Sequence, residues 1–441
     1  MDWVGTESIL FKDVTFVAPD GVKTGDVLVK HGKIAAIEPC LPEHAEVIVK
    51  EKGLTLIPGV IDPHVHFRDP GAPRKETLET GSKAAASGGV TSFFDMPNTN
   101  PLTISIEAMA QKKEIAANSS LVNYNFFIGA NTENFDVLNN VENVPGIKIF
   151  VGSSTGNMCV DSDEHLTRIF SNGNRLLAVH SENEVEVQDN AAKYAASEDV
   201  LDHLNIRTVS AAINSTKRLV AMAEKYQRRL HICHLTTEEE MEFLAEKKLS
   251  PLVTTEVTPQ HFLLWAPDIY NKIGNYAKIN PPIREKRHAV ALAKGLKTGV
   301  IECIGTDHAP HTKEDKDQSF QNAPSGMPGV ETSLPLMLTQ MHNGFCSLED
   351  VVEWMCHAPA RLYNIQNKGR LEVGYDADLT LLDLNASYTL NNSDMLTKCG
   401  WSAFDGVDIK GGVVATYVNG NMVYREKDFF DDIKGKEIII G

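Results

Sequence analysis

His64, His66 and Arg68 occupy alternate positions just beyond the apolar run Leu54 to Ile61. In an extended segment alternate side chains share a face, so both imidazoles and the guanidinium are expected to project the same way. Two imidazoles side by side can hold one metal ion. A guanidinium can grip a carboxylate or phosphate through two parallel hydrogen bonds. A metal and an anion clamp this close together outline a reaction centre. A His-x-His pair also arises by chance, as two hydrogen-bonded surface rings, so the rest of the chain has to decide.

Polar residues at the ends of other apolar runs supply the context. Lys148 lies in Gly146-Ile147-Lys148-Ile149-Phe150, His180 closes Leu177-Ala178-Val179-His180, His234 closes His231-Ile232-Cys233-His234, and Asp307 follows Ile304-Gly305-Thr306. The runs themselves are Leu56–Ile61, Val90–Asp95, Val122–Ile128, Ile147–Val151, Leu176–His180, Leu230–His234, Leu252–Val257 and Ile301–Thr306, separated by polar or helix-like stretches. Strands alternating with helices pair in parallel through right-handed crossovers. Eight such units predict an α/β fold, a (β/α)8 TIM-like barrel, whose reactive mouth lies at the C-terminal strand ends. An open doubly wound sheet is the alternative, but it usually carries a Gly-rich phosphate loop after its first strand, and none follows here. In a barrel His64, His66, Lys148, His180, His234 and Asp307 converge. Imidazole and carboxylate donors suit zinc, with manganese, cobalt or nickel as substitutes. His231 and His308 fall out of phase and are left out of the set. A lysine inside such a strand is costly unless paired; carbamylation by carbon dioxide would turn it into a bridging carboxylate, and a salt bridge is the plainer reading.

The ends of the chain read differently. Residues 8–50 and 371–425 hold short alternating runs punctuated by Gly and Asn turns, the pattern of β-hairpins without helices. Neither end alone makes an adequate core, so a small β-sandwich domain built from both is expected: 1–55 with 368–441, around a barrel spanning 56–367.

The chain has 441 residues, enough for this arrangement. No apolar run approaches the roughly 18 residues of a membrane span, and Met1 to Gly5 lacks the basic and apolar regions of a signal peptide. The net charge of −17 argues against a nucleic-acid partner, yet leaves room for an anionic substrate, because local Arg and His set the field in a pocket. Seven cysteines without CxxC spacing fit a reducing cytoplasm; Cys233 and Cys303 read as core packing.

Four motifs together resemble the amidohydrolase superfamily and, within its cyclic amidohydrolases, the dihydroorotase family. They are Asp62-Pro63-His64-Val65-His66-Phe67-Arg68-Asp69-Pro70-Gly71, Asp95-Met96-Pro97-Asn98-Thr99-Asn100-Pro101, Lys278-Ile279-Asn280-Pro281-Pro282-Ile283-Arg284 and Gly305-Thr306-Asp307-His308-Ala309-Pro310-His311. The resemblance spans nearly the whole chain; Gly369 to Leu379 resembles the re-entry into the β-domain. It implies reversible cyclisation of N-carbamoyl-L-aspartate to L-dihydroorotate in pyrimidine biosynthesis. It also implies two zinc ions, one on His64, His66 and Asp307, the other on His180 and His234, bridged by carbamylated Lys148 and a hydroxide, with Asp307 as general base and acid. Many bacterial members of similar length carry Asp at the bridging position, whereas Lys148 matches hydantoinase-like members. Arg68, Asn98 and His311 would bind the substrate carboxylate; Asn280 and the backbone at Ser325 and Gly326 would contact the ring amides. A homodimer is the family expectation, and association with aspartate transcarbamoylase is open.

Segment 311–330, polar and rich in Gly and Pro, is expected to act as a lid over the mouth. Allantoinase and dihydropyrimidinase or hydantoinase activity are the competing readings, and their substrates give no reason for Arg68, Asn98 and His311 together. A non-catalytic scaffold is a further alternative, and would be expected to lack several of the six ligands.

Overall fold

The computed structural model describes residues 7–152, 158–247 and 251–441; the N-terminal stretch Met1 to Gly5 lies outside them. Eight short parallel strands form the barrel: β1 (Val60–Val65), β2 (Val90–Asp95), β3 (Asn123–Phe126, resuming at Ile128–Gly129), β4 (Ile147–Val151), β5 (Leu177–Ser181), β6 (Leu230–Ile232), β7 (Val253–Val257) and β8 (Cys303–Ile304). Each pairs in parallel with the next, from Val60 beside Val90 round to Glu256 beside Cys303. The ring closes through a bridge between Val65 and His308, where the His66 amide donates to the His308 carbonyl at 2.7 Å. Every residue of these strands is buried, which is why they read as continuous apolar runs rather than alternating ones.

Helices cover the outside, and their starts are legible in the sequence. Thr77 caps Leu78–Ser87 in a capping box with Thr80, and Ser162 and Thr208 cap Asp163–Ser171 and Val209–Tyr226. Such a cap contributes about 1 kcal/mol. Val209–Tyr226 buries Ala212, Thr216, Leu219 and Ala223, the spacing of one helical face.

The two chain ends share one nine-stranded sheet, in which Ser8–Ala18, Gly21–Lys30, Lys33–Glu38, Val47–Val49 and Thr55–Pro58 meet Leu379–Thr389, Asp408–Val418, Asn421–Arg425 and Asp428–Phe429. The run expected as the first barrel strand, Leu56–Ile61, is therefore divided. Thr55–Pro58 pairs with Leu379–Leu382 in the end sheet, and the barrel strand begins at Val60. Gly59 is the point of passage: a Cβ there would lie 2.1 Å from Thr91 Oγ1. Apolar character alone does not tell which of two sheets a residue joins. Asp378 ties the sheets together, its carboxylate accepting from Asn123 Nδ2, from the Asn419 amide at 2.7 Å and from Lys368 Nζ at 2.6 Å. The core is continuous across this junction: Val17, Ile57 and Val418 share one buried cluster with Val60, Val90 and Phe126.

Candidate functional site

At the C-terminal mouth of the barrel the strand ends bring four imidazoles and a carboxylate together. His64 Nε2 and His66 Nε2 lie 3.3 and 3.0 Å from Asp307 Oδ1. His234 joins this group, with donor atoms of His64, His234 and Asp307 all within 4.8 Å of one another. His180 Nδ1 faces His234 Nε2 at 3.1 Å. Lys148, 1% exposed on β4, directs its Nζ to the Cys233 thiol at 3.2 Å and lies 5.1 Å from the Phe150 ring centre. Among the described residues no carboxylate pairs with it. His234 Nδ1 is buried without a hydrogen-bond partner among the described residues. An orphaned imidazole nitrogen beside converging neutral rings and a carboxylate is a donor set that fits a cation. The backbone is in the left-handed region at Arg68, His234 and Asp307 (φ 59°, 35° and 47°), a conformation that costs non-glycine residues energy and clusters at functional sites.

Behind the rings lies a layer of buried carboxylates that aims them. His64 Nδ1 hydrogen-bonds Glu256 Oε1, leaving Nε2 for the centre. Glu256 also meets His231 Nε2 at 3.3 Å and accepts from the His234 amide at 3.2 Å. His180 Nε2 is held by Glu182 at 2.8 Å, and Glu182 by Arg207. His66 Nδ1 is held by the Asn98 side-chain oxygen at 2.7 Å. Such partners select the tautomer that turns a lone pair toward a metal. Gly305 leaves room for this layer: a Cβ there would lie 2.8 Å from Glu256 Oε2.

Burial pushes His66 down to about 4 and also lowers His180 and His234, so these three rings are neutral at physiological pH. His64 behaves oppositely. Burial is the largest influence and opposes its charge, but Glu256, Asp307 and the Cys233 contact together lift the ring to about 10. Its extra proton is one a bound cation would displace. Burial alone would raise the Asp307 carboxyl; the His64 and His66 rings hold it well below the usual carboxylate range.

One side of the mouth is a cleft lined by His66, Arg68, Asn98, Asn280, Asp307, Ala309, Ser325 and Gly326. His311 adjoins it, with Nε2 3.2 Å from Arg68 Nη2 and 3.1 Å from the Ser325 carbonyl. The strand stops at Val65 and the chain turns at Arg68, so alternation along one extended segment does not place this guanidinium; the loop does, with Arg68 Nε donating to the Pro310 carbonyl at 3.2 Å. A buried ion pair supports the corner: Lys112 meets Asp95 at 2.5 Å and donates to the Met96 carbonyl, while Asp95 accepts from the Phe67 amide at 2.7 Å. Removing one partner of such a pair costs about 3–5 kcal/mol.

Segment 311–330 is pinned rather than loose. It contains the short helix Lys313–Lys316, and buried Lys316 donates to the carbonyls of Lys278, Pro324 and Gly326. His308 packs away from the cleft, its Nδ1 accepting from the Gly329 and Val330 amides. Glu256 and Glu182 went unread in the sequence, although a charged residue inside the buried run Thr254-Thr255-Glu256-Val257 is a usable signal. His231, left out of the ligand set as out of phase, braces Glu256. Cys233, read as core packing, faces Lys148.

The amidohydrolase family matches residues 55–423. Similar relatives include the dihydroorotase of Methanosphaera stadtmanae, 32% identical over 416 residues, 92% of this chain and 95% of the relative. The dihydroorotase of Wolbachia sp. subsp. Drosophila simulans is 36% identical over 382 residues, 85% of each chain. Among solved structures, the L-hydantoinase (dihydropyrimidinase) of Arthrobacter aurescens superposes with a TM-score of 0.93 at 30% identity, covering 98% of this chain and 99% of that one. The dihydropyrimidinase of Brevibacillus agri superposes with a TM-score of 0.90 at 26% identity, covering 98% of each.

Proposed function

This chain belongs to the amidohydrolase family, and from that premise we propose that it interconverts L-dihydroorotate and N-carbamoyl-L-aspartate. It is a hydrolase of cyclic amides, as its dihydroorotase relatives are. The observation that carries the substrate is the pairing of Arg68 with His311 beside Asp307, in a cleft too small for a polymer. A ring carboxylate gives that pair a purpose; hydantoin, dihydrouracil and allantoin have none to offer.

His64, His66 and Asp307 would hold one zinc ion, and His180 and His234 a second. Lys148, as a carbamate, would lie between them; the support is a buried amine with no carboxylate partner among the described residues. When bound, such ions lower the pKa of water from about 15.7 to roughly 7 and polarise a carbonyl. The chain supplies the rest. Arg68 and His311 grip the carboxylate, Asn98 orients His66, and Asn280 with the backbone at Ser325 and Gly326 positions the ring amides. Asp307, held ionised by its two histidines, accepts the proton of the attacking water and passes it to the departing ring nitrogen as the C–N bond breaks. In the cyclising direction it takes a proton from the carbamoyl nitrogen, and water leaves.

A parallel assay of dihydroorotate, carbamoyl aspartate, dihydrouracil, hydantoin and allantoin, with metal analysis on the same sample, tests the reading. Dihydroorotate is expected to lead by on the order of 10²-fold or more in kcat/KM. A preference for dihydrouracil or hydantoin sinks it.

A further inference from the structure

Lys75 stands behind the carboxylate corner, where no role described above reaches it. Its Nζ lies 2.8 Å from His311 Nδ1 and 3.2 Å from Asp315 Oδ2; the other Asp315 oxygen is taken by Arg74 at 2.7 Å. An ammonium can only donate, so Nδ1 must accept. The single proton of a neutral ring then sits on Nε2. That nitrogen lies 3.1 Å from the Ser325 carbonyl, which can only accept, and the two requirements agree. The other tautomer would set an N–H against the ammonium and a lone pair against the carbonyl. A doubly protonated ring is opposed by burial and by Arg68, Lys75 and Lys316 around it. Gly326 makes the packing possible, since a Cβ there would lie 2.9 Å from His311 Nε2.

With the proton on Nε2, the contact to Arg68 Nη2 at 3.2 Å joins two donors. The Nε2–H already donates to the Ser325 carbonyl, so an anion set between the two groups would accept from Arg68 Nη2 and share the Nε2–H with that carbonyl. On the reading that the substrate carries a ring carboxylate, we propose that Lys75 is a positioning residue. By donating to Nδ1 it holds His311 as the Nε2–H tautomer, so that His311 and Arg68 present converging donors to that carboxylate.

The metal-loaded enzyme and its Lys75→Met and Lys75→Arg variants test this in two ways. With dihydroorotate, Lys75→Met is expected to raise KM about 10- to 100-fold while kcat moves far less, the loss of a charge-assisted contact in binding. Lys75→Arg, which still donates, is expected to recover most of that loss. In 15N-histidine spectra, with the signal assigned by its disappearance in His311→Gln, His311 is expected as Nε2–H in the wild type and as a tautomer mixture in Lys75→Met. A wild-type His311 protonated at Nδ1, an unchanged KM in Lys75→Met, or equal losses in kcat and KM that Lys75→Arg does not rescue would each overturn the proposal. If the wild type ignores dihydroorotate, the substrate reading fails, while the nitrogen spectrum still decides the tautomer.

Discussion

His64, Lys148 and His180 project from barrel strands, whereas Arg68, Asn98, His311 and Ser325 reach the same cleft from loops beyond β1, β2 and β8. Among the strand-borne side chains, the imidazoles of His64 and His180 are braced by buried carboxylates, Glu256 and Glu182, which are themselves locked by His231 and Arg207. The loop-borne ones are braced by backbone carbonyls and by lysines. The first arrangement is rigid because each member is buried. The second can be rebuilt by changing a loop without disturbing the sheet. This agrees with the comparisons: the barrel superposes closely on a hydantoinase and a dihydropyrimidinase, while the relatives similar in sequence are dihydroorotases. Fold alone does not select the substrate.

The contrast can be broken at either end. The largest effect is expected from Asp307→Asn, which removes the proposed proton carrier where the two halves meet: kcat should fall about 10²- to 10⁴-fold, and near-normal turnover would displace Asp307 from that role. Lys148→Ala should lose both metal and activity, with partial recovery on adding a short carboxylic acid that stands in for the proposed carbamate. Full activity in the bare variant refutes the bridge. Arg68→Ala should raise KM for dihydroorotate about 10- to 100-fold with metal content unchanged, because it touches only the loop half. Glu256→Gln should do the reverse, lowering metal affinity about 10- to 100-fold with little change in KM once metal is saturating; a KM effect equal to that of Arg68→Ala would show that the halves are not separable.

The smallest effect concerns the segment that carries Trp401, whose indole donates to the His311 carbonyl at 2.8 Å. Glu331 anchors this segment through the Leu396 and Thr397 amides, and burial pushes its carboxyl up from 4.5 to about 7. A carboxyl whose pKa is raised on folding contributes stability that is fully present below pH 4.5 and is lost as the pH climbs through 7. Glu331→Gln is therefore expected to flatten the fall in melting temperature between those values. An unchanged slope would remove Glu331 as its source.

Much of the rigid half was legible. Val90–Asp95 and Ile147–Val151 were read with the boundaries the strands have, because a buried parallel strand is a short apolar run and its length is set by the barrel wall. The division at Gly59 was not legible, since aliphatic residues stand on both sides of Pro58-Gly59 and two sheets compete for them. Glu256 shows the limit in another way. Its residue type hinted at a purpose, but its partners His64 and His231 stand 192 and 25 residues away, and only closure of the barrel brings them together.

The order of strands and helices, the residue types at the strand ends and the hairpins of the two termini were determined by the sequence alone, because period and burial act locally along the chain. Tertiary structure decided which nitrogen of each histidine faces the centre, that Arg68 reaches His311 through a turn, and that Lys75 stands behind them. Those are matters of single hydrogen bonds between distant segments, and a donor and its acceptor carry no mark of each other until the fold sets them about 3 Å apart.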